Sequence, residues 1–432
     1  MDQDEALSVP VRLDPAALRD SAGGGELPAL YRSLLLRTPE FAPFFLAVAL
    51  RGAASTTGGL ALGVLVYGRT RSPLLAALAM FGPSLAQVLG ATLLMAAADR
   101  LSPRTALAGL AALAAAGTGL LAAPGLPLWA VFAVLLGQGL ADSLAGGVRY
   151  GLLTEILPPG DYLLGRSLLA VAAGVTQVAG FAAGGLLLGA LSPRGVLLVS
   201  AGLGAAAALT VRFGLRRRAP RAGGRPSPAE TLRVNRLLLS DPARRTLYLA
   251  LWVPNGLIVG CESLFVPYDP AHAGLLFGCA AAGMLAGDTV AGRWLPERWR
   301  ARLAAPLRLL LALPYLVFAL RPGPLLATAA VALASTGYAA GLLMQERLVP
   351  LLPEGTQGQA LGLHSAGMLT MQGVCAALAG AVAQYTSPAA AITVLAAVSV
   401  VVTLALEPGL RPDRLRIRPP HSPSPLPRGT AQ

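Results

Sequence analysis

Residues 165–190 read GRSLLAVAAGVTQVAGFAAGGLLLGA, and past Arg166 none of them carries a charge. As a helix rising 1.5 Å per residue the stretch is about 39 Å long, enough to cross roughly 30 Å of hydrocarbon. Its six glycines would each weaken a soluble helix by about 1 kcal/mol. In lipid the apolar solvent holds the backbone helical, and small residues let neighbouring helices approach closely. The stretch therefore reads as a transmembrane helix.

Eleven further runs of the same character flank it, over 41–67, 74–98, 105–123, 128–153, 195–213, 246–266, 272–292, 303–320, 324–345, 358–385 and 389–407. The whole chain is 55% hydrophobic and 13% charged, against roughly 25% charged residues in a soluble protein. No soluble core absorbs that much apolar surface. The expected fold class is an all-α integral membrane protein of twelve transmembrane helices.

Five residues of the opening stretch and the turn after it return further along the chain. Gln177, Ala182, Gly185, Ser192 and Pro193 recur as Gln372, Ala377, Gly380, Ser387 and Pro388, which makes spans 5 and 11 structural counterparts. The longest polar break, 214–245, divides the spans six and six. The expected organisation is a tail over 1–40, a first bundle over 41–213, a basic linker over 214–245, a second bundle over 246–407 and a disordered Pro- and Arg-rich tail over 408–432. Within the first tail, amphipathic Leu30 to Arg37 is placed on the inner membrane surface.

The net charge of +13 comes with 34 arginines and no lysine. With the N-terminus inside, the inner segments hold twenty-five arginines and the outer ones four, Arg69, Arg71, Arg194 and Arg321. Positive residues stay cytoplasmic, so both termini are expected inside a multi-pass cytoplasmic membrane protein. Trp129, Tyr248 and Trp294 read as interface anchors. The basic charge serves topology rather than nucleic acid, since no aromatic-interleaved basic stripe accompanies it. Without lysine there is no P-loop or Schiff-base chemistry. Cys261, Cys279 and Cys375 lie in apolar runs at unrelated spacings, which suits neither a disulfide framework nor a metal site. No metal and no cofactor is called for, and no Ser-Gly elbow for an intramembrane serine protease occurs.

After span 2 the chain reads Met95, Asp99, Arg100, Leu101, Ser102, Pro103, Arg104. Asp99, Arg100 and Arg104 match, and Met95, Ser102 and Pro103 depart from, the loop pattern of the major facilitator superfamily, which the chain resembles over about residues 30–407. The resemblance implies two six-helix bundles related by an axis along the membrane normal, a substrate cavity between them and alternating access. In that family the loop latches neighbouring helix ends; a second copy is read at Gly283 to Arg293, with Asp288. Gly180, Gly184 and Gly185, in the order Gly-Phe-Ala-Ala-Gly-Gly, resemble the exporter-associated Gly-Pro-x-x-Gly-Gly motif with Phe181 in place of proline. The same letters also serve ordinary close helix packing.

A charge at the centre of a bilayer costs about 2.5–3.5 kcal/mol on insertion scales, so it marks a partner or water. Arg51 lies about ten residues, roughly 15 Å, into span 1, and Asp142 sits at similar depth in span 4. In the family both spans line the cavity of the first half. The pair is expected to face that cavity and exchange for substrate or proton, or else to lock the two spans permanently. Glu262 near the outer end of span 7 is a second carboxylate candidate, with an interfacial role as its alternative. Gln138, Gln177 and Gln372 read either as ligand contacts or as helix bridges. The expected function is a non-enzymatic secondary transporter, a monomer exporting a small molecule against protons; nutrient uptake by symport and a transporter-like receptor without flux are the alternatives.

Overall fold

Proline at the first helical position, where the missing N–H costs nothing, opens six of the twelve membrane helices. In the computed structural model, which describes residues 37–93, 102–158, 161–219, 228–353 and 356–410 with Arg32, Leu34 and Leu35 ahead of them, the first bundle comprises six helices. These are α1 Phe41–Thr70, α2 Pro73–Leu93, α3 Pro103–Leu121, α4 Leu128–Ile156, α5 Tyr162–Ala190 and α6 Pro193–Gly214. The second holds α7 Pro242–Glu262, α8 Ala273–Arg293, α9 Glu297–Ala312, α10 Pro324–Ser335, α11 Gln357–Tyr385 and α12 Pro388–Leu406. After a turn, α7 resumes as Phe265–Tyr268; α9 tightens into a 3-10 helix over Leu313–Leu320, and α10 runs through a 3-10 turn into Ala340–Leu348. Twelve of these segments are long and apolar enough to cross a membrane, and no strand occurs among the described residues.

The internal repeat is written into the helix ends. α5 and α11 are each 29 residues long, and each is followed by a serine that caps the next helix. Ser192 accepts from the Gly195 amide and Ser387 from the Ala390 amide, both at 3.2 Å, satisfying an amide that the helix itself leaves unpaired. Packing repeats too. Helix α1 lies against α5 and α6, α2 against α4, and α3 against α6; α7 lies against α11 and α12, α8 against α10, and the 3-10 continuation of α9 against α12. The bundles meet where α2 packs on α11 and α5 on α8.

Call the end where α1 begins and α12 ends the terminal face. Contacts between bundles cluster at the other end. There the Cα atoms of Gly185 and Gly274 face each other, Gly380 lies on the backbone of Pro73 and Leu74, Ser72 donates to Gln384 at 2.8 Å and Tyr67 donates to the Pro267 carbonyl at 3.4 Å. Glycine is required at 185 and 274 because a Cβ on either would collide with the other's backbone. Nearer mid-depth are Gly373 against Leu85 and Gly174 against Leu285.

One expectation meets a correction. Trp129 and Trp294 are exposed, but Tyr248 is fully buried. Its ring packs 5.0 Å from Trp252 and its hydroxyl donates to the Ala360 carbonyl at 3.2 Å, because α11 covers the face that the sequence leaves looking like a membrane boundary. Leu34, within the segment assigned to the inner surface, is buried in the apolar cluster of Phe41, Phe44 and Leu153. The rest of that tail and of the last one lies mostly outside the described residues.

Candidate substrate cavity

Buried apolar side chains in the first bundle gather at its two ends. One cluster holds Phe41, Phe44, Leu153, Leu168 and Val211 at the terminal face, the other Leu62, Val66, Leu121, Leu135 and Leu197 at the opposite face. Between them the bundle is hollow. A cavity of 410 Å³ runs from mid-depth toward the terminal face, past Phe44, Leu107 and Val211. A second, of 210 Å³, runs the other way, past Ser84, Thr118 and Gln138 to Leu135. Both are lined by α1–α6 residues alone, and Arg51, Ser55, Gln87 and Asp142 line both.

The sequence-derived pair stands on that boundary. Arg51 Nη2 donates to Asp142 Oδ1 at 2.5 Å, with the two side chains 30% and 37% exposed. A sealed structural lock would leave neither partner facing open space; this one divides two chambers. Gln177 lines the larger chamber. Gln138 lines the smaller one while donating to the Ala114 carbonyl at 2.9 Å and to Thr118 at 3.2 Å, so it is both helix bridge and wall. Gln372 is a bridge, donating to Asn255 on α7 at 3.0 Å.

The other candidates are not brought to this site. Glu262, the last residue of α7, accepts from Tyr338 at 3.1 Å and from Tyr315 at 3.5 Å within the second bundle. Gly180 and Gly184 pack on Thr56, Thr57 and Leu60 of α1, with Thr57 donating to the Gly180 carbonyl at 3.0 Å, whereas Gly185 meets Gly274 of the other bundle. Asp99 and Arg100 lie outside the described residues. Arg104 donates to the Arg212 carbonyl, tying the start of α3 to the carbonyl-rich end of α6. Asp288 is half-buried near the end of α8 and forms no ion pair among the described residues.

Sequence reasoning passed over three things. Gln87 lines both chambers, on a helix face diluted by alanine and leucine. Arg308, only 3% exposed, pairs with Glu407 beyond α12; its position inside the ninth apolar run was the available signal. Arg216 and Arg218, read as linker charge, bind Glu40 at 3.1 and 2.7 Å, and Arg218 also reaches Glu155 at 3.4 Å. They fasten the first residues after α6 to α1 and α4.

Twelve apolar helices in two matched bundles, with the Arg51–Asp142 pair held inside the first, define a multi-pass membrane protein. Residues 44–345 match the model of the Major Facilitator Superfamily, and the chain belongs to that family. No curated protein sequence matches it. Solved structures share its fold at low identity. A mutant of the nucleoside transporter NupG has 13% identity and a TM-score of 0.73, covering 86% of this chain and 100% of its own. A POT family transporter in complex with a thioalcohol-conjugated peptide has 11% identity and a TM-score of 0.70, covering 85% and 95%. A bacterial homolog of the human lysosomal transporter Spinster, inward-facing and unoccupied, has 14% identity and a TM-score of 0.65, covering 88% and 99%.

Proposed function

We propose that this transporter carries a small amphipathic molecule by alternating access, coupled to protons through Asp142. The observation that carries this reading is the Arg51–Asp142 pair dividing two chambers. The guanidinium and the carboxylate, each about one-third exposed to the chambers, hold each other weakly enough to be exchanged. A substrate bearing a strongly donating group takes the guanidinium's place on the Asp142 carboxylate, and a proton arriving on that carboxylate displaces it. Substrate and proton thereby compete for one residue, the relation that exchange of one for the other requires. Phe44, Val48 and Leu107 supply the apolar part of the larger chamber.

For direction we favour export. The support is the glycine stretch at 180–185, whose family pattern accompanies exporters and whose last member forms the closure opposite the terminal face. Both termini on the cytoplasmic side, as the arginine distribution indicates, then make the structure one that opens inward.

The test is flux in vesicles under an imposed pH gradient, with a panel of amphipathic compounds. Asp142→Asn is expected to abolish substrate-driven proton movement while leaving substrate exchange in place; unchanged proton movement removes Asp142 from the mechanism. Intact cells that accumulate the substrate, rather than excluding it until an uncoupler is added, reverse the direction.

A further inference from the structure

A chain of aromatic rings crosses from the first bundle into the second and ends on a carboxyl. Phe181 of α5, the residue standing where the exporter pattern has proline, stacks on Phe277 of α8 with centroids 4.8 Å apart and planes at 17°. Phe277 meets Phe265 edge-on at 5.0 Å, and Phe265 lies parallel to Tyr315 at 6.4 Å. The Tyr315 hydroxyl donates to Glu262 Oε1 at 3.5 Å, and Tyr338 donates to the same oxygen at 3.1 Å. Phe265, Phe277 and Tyr315 are almost wholly buried.

The surroundings of Glu262 are unusual for a charge. It is the last residue of α7, where the helix carbonyls make the field negative. The titratable neighbours are Tyr315 on α9, Tyr338 on α10 and Cys261 beside it, with Cys375 of α11 beyond Cys261. From α8 and α12 come Phe277 and Ile392, the latter accepting at its carbonyl from Cys261 Sγ at 3.4 Å. No ion pair to Glu262 occurs among the described residues. The carboxyl is half-buried, and without a counter-ion its hydrogen-bonded neutral form is the less costly one to keep from water.

We propose that Glu262 is a second proton-binding site, exposed to water on the side away from the termini when Phe181 parts from Phe277. The stack is an inter-bundle contact at the closure formed by Gly185 and Gly274, so any motion that opens that face pulls one end of the ring chain away. Water then reaches Tyr315 and Glu262; the carboxyl O–H bond breaks, its electron pair stays on the carboxylate and the proton passes to water. Closing requires the proton to return. Low pH on that side therefore favours the closed state. The inference rests on the alternating-access reading above but not on Asp142 or on any substrate.

The full chain in lipid nanodiscs, with its native cysteines replaced and spin labels on Gly189→Cys and Ala271→Cys, both exposed beside the closure, tests it without substrate. The closed, short-distance population is expected to grow as pH falls, with the closed-to-open ratio changing by at most about tenfold per pH unit for a single proton. Glu262→Gln, a mimic of the neutral acid, is expected to stay closed at every pH. Phe181→Ala is expected to lower the closed fraction throughout while keeping the titration. A titration that survives Glu262→Gln overturns the proposal, and so does one lost in Asp142→Asn. Should Glu262→Gln fail to fold, Tyr338→Phe, which removes one hydrogen-bond donor, must move the midpoint; a fixed midpoint is equally fatal. A null result for Asp142 in flux with an intact titration here would sink the earlier proposal and leave this one standing.

Discussion

The two bundles share a helix plan and differ in what fills it. The first keeps its apolar clusters at its ends and encloses chambers of 410 and 210 Å³ around an ion pair. In the second, Phe265, Phe277, Tyr315 and Phe318 join the side chains of α7 and α10–α12 in one large cluster, a second cluster gathers around Tyr248, Met344 and Leu348, and the cavity beside Arg308 measures only 30 Å³. Duplicated folds need not duplicate function. A hollow half can bind and a solid half can transmit, because close-packed interiors move as units whereas a cavity tolerates exchange of its contents.

The sharpest break of that comparison sets one ion pair against the other. Arg308 is 3% exposed and Glu407 39%, whereas Arg51 and Asp142 are both about one-third exposed to the chambers. Glu407→Gln leaves a buried guanidinium without its counter-ion and is expected to destabilise the protein toward the lower end of about 3–5 kcal/mol. Asp142→Asn is expected to cost under about 1 kcal/mol, as for solvent-facing pairs. Thermal unfolding in detergent compares them. Equal losses would mean that the chamber pair is structural after all.

A smaller effect probes the closure. Gly185→Leu drives a side chain into the Gly274 backbone, and overpacking of this kind costs about 1–3 kcal/mol. Set against the closed state alone, that lowers the closed-to-open ratio by about 5- to 150-fold, readable as lost substrate exchange and a longer distance across the open face. Gly189→Leu, where nothing lies within reach of an added Cβ, is the matched control. If the control fails equally, residue 185 acts through helix stability and not through contact between bundles.

Much of the architecture was legible because lipid imposes few rules. Each backbone must satisfy itself within a helix, so run length alone finds the crossings, and the described helices track the runs closely, as at 41–70 against 41–67 and 357–385 against 358–385. Arg51 and Asp142 were legible because charge at mid-depth is costly and therefore conspicuous. What stayed hidden depends on which side of a helix is covered. Tyr248 looks like an interface residue until α11 is laid over it. Glu262 looks interfacial by depth, yet tyrosines from the continuations of α9 and α10 donate to it inside the second bundle. Phe181 is one apolar letter among many, and only the approach of α8 turns it into a joint between bundles.

The mildest test asks how far the two halves remain alike. Ser192 and Ser387 occupy the same place in the repeat and accept the same hydrogen bond at the same 3.2 Å, each at the turn that leads into the last helix of its bundle. Replacing a serine N-cap by alanine costs typically about 1 kcal/mol. If the bundles unfold as one cooperative unit, Ser192→Ala and Ser387→Ala should lower the thermal midpoint by similar amounts, and the double variant by their sum, since the caps lie far apart and share no partner. If the hollow half is the weaker half, as its missing central packing implies, Ser192→Ala should split or broaden the transition while Ser387→Ala leaves its first phase in place. The second outcome is the one expected here, because a bundle whose middle is cavity has fewer contacts with which to absorb the loss of a helix start.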